Sequence, residues 1–300
     1  MKRMRFLAPL LILPAVAMFF IVGCPDPAKD KNKPKDAVTA DADKNKDKDK
    51  DKDKGKGGTV EITTQTDGTI KGVVKYDGTP PEAKPLDVGD HKDKKTCLAG
   101  TGIHVVDQTW LVKDGNVANV VISLGPPAGK KFKITPELKK PFETTTVFMD
   151  QPFCTYVPHV AAVYADIQDF VVKNSAAISH DVTISGNKNA LSNTNLPAKS
   201  GETVKQTEPR KFEMESGPIN VTCNIHKGFM TAKVLTFNNP YFAVTDENGA
   251  FEIKNVPVTE EITIFMWHES MSGGRGEAKK LTLKAGETQS VELKISAPKK

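Results

Sequence analysis

The sequence lacks the short motifs that mark most hydrolases and nucleotide-binding enzymes. It contains no Gly-x-Ser-x-Gly nucleophile elbow, no Gly-rich phosphate loop and no His-x-x-x-His zinc helix. Its six histidines also do not form the His-rich motifs that a multicopper oxidase requires. These absences argue against catalysis, and we expect that the protein is not an enzyme.

An excess of charge is also missing from the part of the chain that we expect to fold. The formal net charge of the 300 residues is +5, but residues 59–300 contain 28 basic and 28 acidic residues. The positive surplus therefore lies entirely in the first 58 residues. A globally basic surface is not expected, and we predict no nucleic-acid partner.

Residues 1–24 have the organisation of a secretion signal. Three basic residues lie within the first five positions, an apolar run covers residues 6–22, and a small residue precedes Cys24. The alternative is a transmembrane helix, but Pro9 and Pro14 interrupt the run, which is short for a full span. The ending Ile-Val-Gly-Cys resembles the lipobox of bacterial lipoproteins. This resemblance implies lipidation at Cys24, a membrane anchor, and a location on the periplasmic or outer-surface side of a bacterial membrane.

Residues 25–58 form a low-complexity tract with eleven lysines, nine aspartates and almost no apolar side chain. Such a segment cannot bury enough surface to offset the entropy lost on ordering. We predict a disordered tether between the anchor and the folded part. The alternative is a tail that binds metals or polyanions, which the near-regular alternation of charge signs disfavours.

The chain has only four cysteines: Cys24, Cys97, Cys154 and Cys223. Lipidation would use Cys24 and leave three in an oxidising compartment, so at most one disulfide can form and one thiol remains. A free thiol in an oxidising compartment is prone to oxidation unless a metal or another group binds it. The odd cysteine is therefore a candidate metal ligand.

From residue 59 onward the sequence alternates between short apolar–polar runs and Gly or Pro breaks, and no stretch is typical of an amphipathic helix. This pattern predicts an all-β fold with two β-sandwiches. The runs expected to form strands are 69–76, 117–124, 169–172, 181–184, 219–223, 231–237, 250–253, 261–265, 280–283 and 290–295.

The two ends of this region resemble one family. Residues 72–80 and 118–124 are similar to strands of carboxypeptidase-regulatory-like (transthyretin-like) sandwiches, and residues 244–257, VTDENGAFEIKNVP, are similar to that family's hairpin signature. The Asn-Gly pair predicts a turn with positive φ at both residues. Because these segments lie far apart, we predict a sandwich made of residues 59–125 plus 240–300, with residues 126–239 inserted as a second domain. Three consecutive small domains are the alternative.

The inserted segment contains a thiolate, an imidazole and a thioether within eight residues: Cys223, His226 and Met230. An earlier His180 opens another predicted strand. Two His, one Cys and a weak Met are the ligand set of a blue-copper site. The pattern resembles plastocyanin and amicyanin, which implies a Greek-key cupredoxin domain holding one type 1 copper ion at these four residues.

Two positions depart from that family. Three residues separate His226 from Met230, whereas amicyanin-like loops have two and plastocyanin-like loops have four. Asp181 stands where plastocyanin-like proteins tend to carry Asn. A Cys-x-x-His pair alone also fits half of a zinc site, but residues 185–222 supply no further Cys or His for the other half.

The block at 150–160 looks like a recurring block of multidomain cupredoxin lipoproteins of the methylamine-utilisation type. Within it, Cys154 is predicted to pair with Cys97. His159 is either a structural surface residue or, with His268, part of a possible secondary site; for His268 beside a packed Trp, a structural role is favoured over catalysis. No partner can be named from the sequence for His91 or His104.

The function implied by the resemblance is one-electron transfer between redox partners whose identity the sequence does not give. The resembled family exposes the edge of the second ligand histidine, so a partner is expected to approach His226. Phe229 either belongs to that docking patch or packs inside the loop. Two alternatives remain: a copper-binding or copper-storage lipoprotein, and a structural or glycan-binding surface protein with a vestigial copper site.

Overall fold

The structure is a computed structural model that describes residues 59–272 and 274–298. The predicted signal (1–24), the lipidation residue Cys24 and the predicted tether (25–58) lie outside these residues. The two α-helices of the described residues have four and eight residues, and neither is a candidate membrane span.

The described chain consists mainly of β-strands, which confirms the all-β prediction. The strands are β1 (Val60–Ile62), β2 (Gly68–Tyr76), β3 (Val112–Lys113), β4 (Asn116–Val117), β5 (Val121–Gly125), β6 (Lys130–Phe132), β7 (Thr146–Asp150), β8 (Val160–Tyr164), β9 (Asp169–Asn174), β10 (His180–Ser185), β11 (Ala190–Leu196), β12 (Lys205–Gln206), β13 (Ile219–Thr222), β14 (Thr231–Phe237), β15 (Phe242–Val244), β16 (Ala250–Val256), β17 (Glu261–Trp267), β18 (Gly276–Thr282) and β19 (Thr288–Ile295). The helices are α1 (Lys94–Cys97) and α2 (Pro136–Glu143), and a 3-10 turn covers Gly102–Val105.

The first sandwich is built from both ends of the described chain. In one sheet β2 pairs with β16, β4 and β19, and in the other the order is β15-β5-β17-β18. Alternate residues of these strands point inward, so that Ile70, Ile122, Ile264 and Leu293 belong to one buried apolar cluster.

The second sandwich uses the middle of the chain. A sheet with the order β11-β10-β13-β14-β8 faces the three strands β12-β9-β7. Their inward side chains form a second apolar cluster that includes Phe170, Val182, Val221 and Val234. Two of the four predicted metal ligands, Cys223 and Met230, belong to this cluster.

A smaller apolar cluster joins the two sandwiches, with Val121 and Trp267 from the first and Val160, Leu235 and Phe237 from the second.

Residues 130–138, which the predicted division assigns to the insertion, are attached to the first sandwich: β6 pairs with β1, and Leu138 lies in the first core. The proposed domain boundaries stay a prediction.

Three local expectations were wrong. The predicted strand 117–124 is two strands, because the chain breaks at Asn119, whose φ is 61°. The helix α2 was not expected, although Pro136 at its first turn is a helix-start signal.

The third error concerns the Asn248-Gly249 turn. Only Gly249 has positive φ, 70°, and the turn connects strands of opposite sheets rather than a paired hairpin. A Cβ on Gly249 would lie 2.7 Å from the Cβ of Asn116 and 2.9 Å from the amide nitrogen of Val117, so close backbone approach also requires glycine.

Candidate metal centre

Strand pairing brings His180 and Cys223 to the same end of the second sandwich. β10 begins at His180, and the antiparallel β13 ends at Thr222, with Thr183 opposite Thr222. The first histidine and the cysteine, although 43 positions apart, therefore become neighbours across one strand pair.

The loop from Cys223 to Met230 carries the other two predicted ligands and is closed by backbone hydrogen bonds. The amide of Cys223 donates to the carbonyl of Met230, and the amide of Met230 donates to the carbonyl of His226, both at 3.2 Å. Because β14 begins immediately afterwards, at Thr231, the loop is anchored by strands at both ends. The spacing of three between His226 and Met230 is thus accommodated in a closed loop.

Three donor atoms converge within this end of the sandwich. Nδ1 of His180 lies 3.0 Å from Nδ1 of His226, and Sγ of Cys223 lies 3.9 Å from the former and 3.6 Å from the latter. Donors bound at about 2.0 Å (N) and 2.3 Å (S) around one ion are separated by roughly 3–4 Å. The arrangement matches three ligands of a single metal ion.

The site is shielded from water. His180, Cys223, His226 and Met230 are each at most 1% exposed, and Met230 lies in the same apolar cluster as Cys223. Cys223 is the one free cysteine among the described residues. A buried thiol beside two imidazoles is the donor set that a soft or borderline metal ion requires.

Burial keeps both imidazoles neutral. Desolvation, assisted by the nearby His226, lowers the pKa of His180 to about 3, against a small opposing effect of the Phe153 carbonyl and Asp93. Desolvation and His91 lower the pKa of His226, although Asp93 opposes them. Neutral imidazoles are the form that binds metal.

Burial also keeps the thiol of Cys223 neutral, although for a thiol this means a higher pKa rather than a lower one. Burial raises its pKa, while nearby backbone amides, that of Asp181 first among them, partly lower it. Without a metal the sulfur is therefore protonated at neutral pH, so metal binding must displace one proton.

Asp181, the residue that departs from the resembled family, fastens the two ligand segments together. Its backbone amide lies 3.5 Å from Sγ of Cys223, and its carboxylate accepts the amide of Asn224 at 2.6 Å. Its carbonyl accepts the side-chain amide of Gln151 at 3.1 Å. Here the aspartate supplies an acceptor that fixes the cysteine loop against β10.

The donors fit copper better than zinc. A structural zinc site needs four Cys, His or carboxylate ligands. Among the described residues, Cys223 forms such a group with His180 and His226 alone, and the fourth predicted ligand, Met230, is a buried methionine of the same apolar cluster as Cys223. Cys97 and Cys154 also lie near His226, but both sulfurs are joined in a disulfide and offer no thiolate.

The Cys97–Cys154 disulfide joins two segments that are 57 positions apart in the sequence. Its S–S distance is 2.02 Å, and both cysteines are fully buried in the second core. It ties α1 to the segment after β7, directly beside the metal centre.

The expectation that the edge of His226 reaches the surface was wrong. The His226 side chain is fully buried because Asp93 and His91, which precede α1, lie over it. Phe229 is half-buried, with its ring centroid 6.0 Å from that of His91 and 5.9 Å from that of His226. Sequence reasoning missed His91 and Asp93 because no local motif links them to the ligands.

His159 and His268 lie outside every cluster of three potential metal donors among the described residues. Nε2 of His159 is 2.6 Å from a carboxylate oxygen of Glu269. His268 stacks on Trp110 with ring centroids 4.1 Å apart, and its Nδ1 is 2.8 Å from Oγ of Ser270. Each ring thus has a polar partner within the protein, and the possible secondary site at these two residues stays a prediction.

No protein-family model matches the sequence, and no curated protein is detectably similar to it. Among solved structures, amicyanin from Paracoccus versutus is 14% identical and covers 38% of this chain and 98% of its own, with a TM-score of 0.25. A purple cupredoxin from Nitrosopumilus maritimus is 17% identical and covers 30% and 99%, with a TM-score of 0.23. Auracyanin A, a blue copper protein from Chloroflexus aurantiacus, is 12% identical and covers 31% and 98%, with a TM-score of 0.25. These neighbours are cupredoxins similar to about a third of the chain, and they do not establish its family.

Proposed function

We propose that this protein is an extracytoplasmic electron carrier that binds one type 1 copper ion through His180, Cys223, His226 and Met230 and catalyses no reaction. The observation that carries the proposal is the free, buried thiol of Cys223, 3.6–3.9 Å from two Nδ1 atoms that face one another. When bound, copper would supply a site that alternates between the cupric and cuprous states.

The residues of the chain would favour fast exchange of a single electron. The thiolate and two neutral imidazoles would suit both oxidation states, and the buried thioether of Met230 would be a weak further donor that tunes the potential. Because His180 starts a strand and the loop of Cys223 is closed by two backbone hydrogen bonds, the ligands would move little between states.

The location and partners are part of the same proposal. The apolar run at 6–22 followed by Cys24 supports export and lipid anchoring on the periplasmic or outer-surface side, with the 25–58 tract as the tether. The outer sandwich would be of the carboxypeptidase-regulatory-like type. A redox protein would approach the half-buried His91 and Phe229, which lie over the ligand loop.

The test is visible absorption and electron paramagnetic resonance of the full chain after addition of copper(II). We expect an intense thiolate-to-copper band with narrow hyperfine splitting and one copper per chain. The band should vanish in Cys223→Ser and persist in His104→Asn, a control histidine outside the site. A colourless, type 2 spectrum that Cys223→Ser leaves unchanged would refute the ligand assignment.

Complete burial of the ligands also favours a second candidate, a copper-holding protein without a redox partner. The two functions differ in the rate of electron self-exchange, which is measured by line broadening in mixtures of oxidised and reduced protein. Exchange too slow to broaden the lines would favour copper holding, and fast exchange would favour electron transfer.

A further inference from the structure

The outer face of His226 is covered by side chains from a distant part of the chain. Nδ1 of this ring faces Cys223, whereas Nε2 lies 3.3 Å from Oδ2 of Asp93. The His91 ring lies over the His226 ring with centroids 4.7 Å apart, and its Nε2 is 2.9 Å from the carbonyl oxygen of Ile225. We call His91 and Asp93 the cap.

The cap separates the metal centre from solvent. The side chains of His91 and Asp93 are 22% and 20% exposed, whereas that of His226 is 0% exposed. Water therefore does not reach Nε2 of His226, and a carboxylate occupies the position next to it.

Several independent contacts fix the position of the cap. The amide of Asp93 is 3.2 Å from Nδ1 of His91, and the carbonyl of Asp93 accepts the amides of Thr96 and Cys97 in α1. Cys97 is in turn bonded to Cys154 of the second sandwich. The Asp93 carboxylate is thus held over His226 by the backbone and by a covalent link.

This placement has a chemical consequence for the ligand. A neutral imidazole carries one proton, so Nδ1 can bind a metal only when the proton is on Nε2. A negative carboxylate next to Nε2 favours the tautomer that carries the proton on that nitrogen, which otherwise has no hydrogen-bond partner among the described residues. The negative charge also favours the more positive oxidation state of a metal bound at Nδ1.

We propose that Asp93 is a positioning residue of the metal centre: its carboxylate, 3.3 Å from Nε2 of His226, keeps the proton on that nitrogen and so presents Nδ1 to the metal beside Cys223. The inference rests on the proposed copper site and deepens it, because it assigns a residue that acts on copper only through His226.

The matched test compares Asp93→Ala with Asp90→Ala, an exposed aspartate three positions earlier. Because Asp93 joins α1 through its backbone carbonyl, the substitution leaves those hydrogen bonds in place, and a retained disulfide is checked by mass. In the metal-free protein, nitrogen-15 NMR should find His226 as the Nε2–H tautomer in the wild type and in Asp90→Ala, and a mixture in Asp93→Ala.

With copper, Asp93→Ala should raise the dissociation constant by about 10–100-fold and shift the reduction potential to more positive values. Asp93→Asn retains an acceptor oxygen and should keep most of the tautomer preference while still raising the potential. Asp90→Ala should match the wild type in both measurements.

The inference is overturned if Asp93→Ala keeps both the wild-type tautomer and the wild-type copper affinity. It is also overturned if the wild type binds two copper ions and Asp93→Ala binds one, since His91, Asp93 and His226 would then form a second metal site. A wild type without a thiolate-to-copper band would instead refute the proposed function, and the metal-free NMR measurement would still decide the role of Asp93.

Discussion

Replacing Cys97 and Cys154 together by alanine is expected to lower the free energy of unfolding of the metal-free protein by about 4 kcal/mol. The two cysteines are 57 positions apart. A cross-link across a loop of this length removes about 14 cal/mol/K of entropy from the unfolded chain, which is about 4 kcal/mol at 25 °C. Both cysteines must be changed, because a single substitution would leave a free thiol beside the metal centre.

The assay is urea unfolding followed by circular dichroism and tryptophan fluorescence. With a slope of about 2–3 kcal/mol/M, the loss corresponds to a fall of about 1–2 M in the unfolding midpoint. A reductant provides the control: it should lower the stability of the wild type to that of the double variant and leave the double variant unchanged.

Two results would refute this reasoning. One is a double variant whose free energy of unfolding lies within about 1 kcal/mol of the wild-type value, since the entropic estimate predicts a loss of about 4 kcal/mol. The other is an equal response of both proteins to the reductant, which would place the effect outside the disulfide.

The remaining predictions concern one proposed copper ligand and one buried carboxylate. Met230→Leu should keep the copper(II) thiolate band but raise the reduction potential, whereas Met149→Leu, a fully buried methionine of the same core, should change neither in spectroelectrochemistry. Glu215→Gln should lower the free energy of urea unfolding by about 1 kcal/mol, because glutamine keeps an oxygen that accepts the amides of Lys188 and Asn189 but lacks the charge that strengthens both bonds, while the exposed Glu213→Gln should have little effect. Burial raises the pKa of Glu215, but these hydrogen bonds outweigh it and hold the pKa below 4.5, so the stabilisation is present above pH 4.5 and is lost as the pH falls through the folded pKa. Unfolding measured between pH 7 and pH 3 should therefore show a steeper loss in the wild type than in Glu215→Gln, and parallel curves would contradict the assignment.

The cluster of candidate metal ligands could be predicted from sequence because three of its members share one short loop. Cys223, His226 and Met230 lie within eight residues next to strand patterns, and ligand chemistry restricts what such a combination can bind. The all-β class could also be predicted, because strict alternation of apolar and polar side chains indicates a half-buried strand.

The cap could not be predicted in the same way. His91 and Ile225 are 134 positions apart, and their contact depends on how a loop of one sandwich packs on the other. The strand break at Asn119 and the turn at Gly249 were missed for a related reason: each depends on tertiary contacts that override local propensity.

The parallel pairing of β2 with β19 has a consequence for how the chain acquires its structure. Residues 69–76 pair with residues 288–295, more than 200 positions later, so the first sandwich cannot close until residue 295 has been synthesised. The strands of the second sandwich are complete by residue 237 and need no later partner in their own sheets. Folding should therefore proceed from the middle of the chain outward, with the region of His180 and Cys223 formed early and the pairing of β2 with β19 added in a slow, final step.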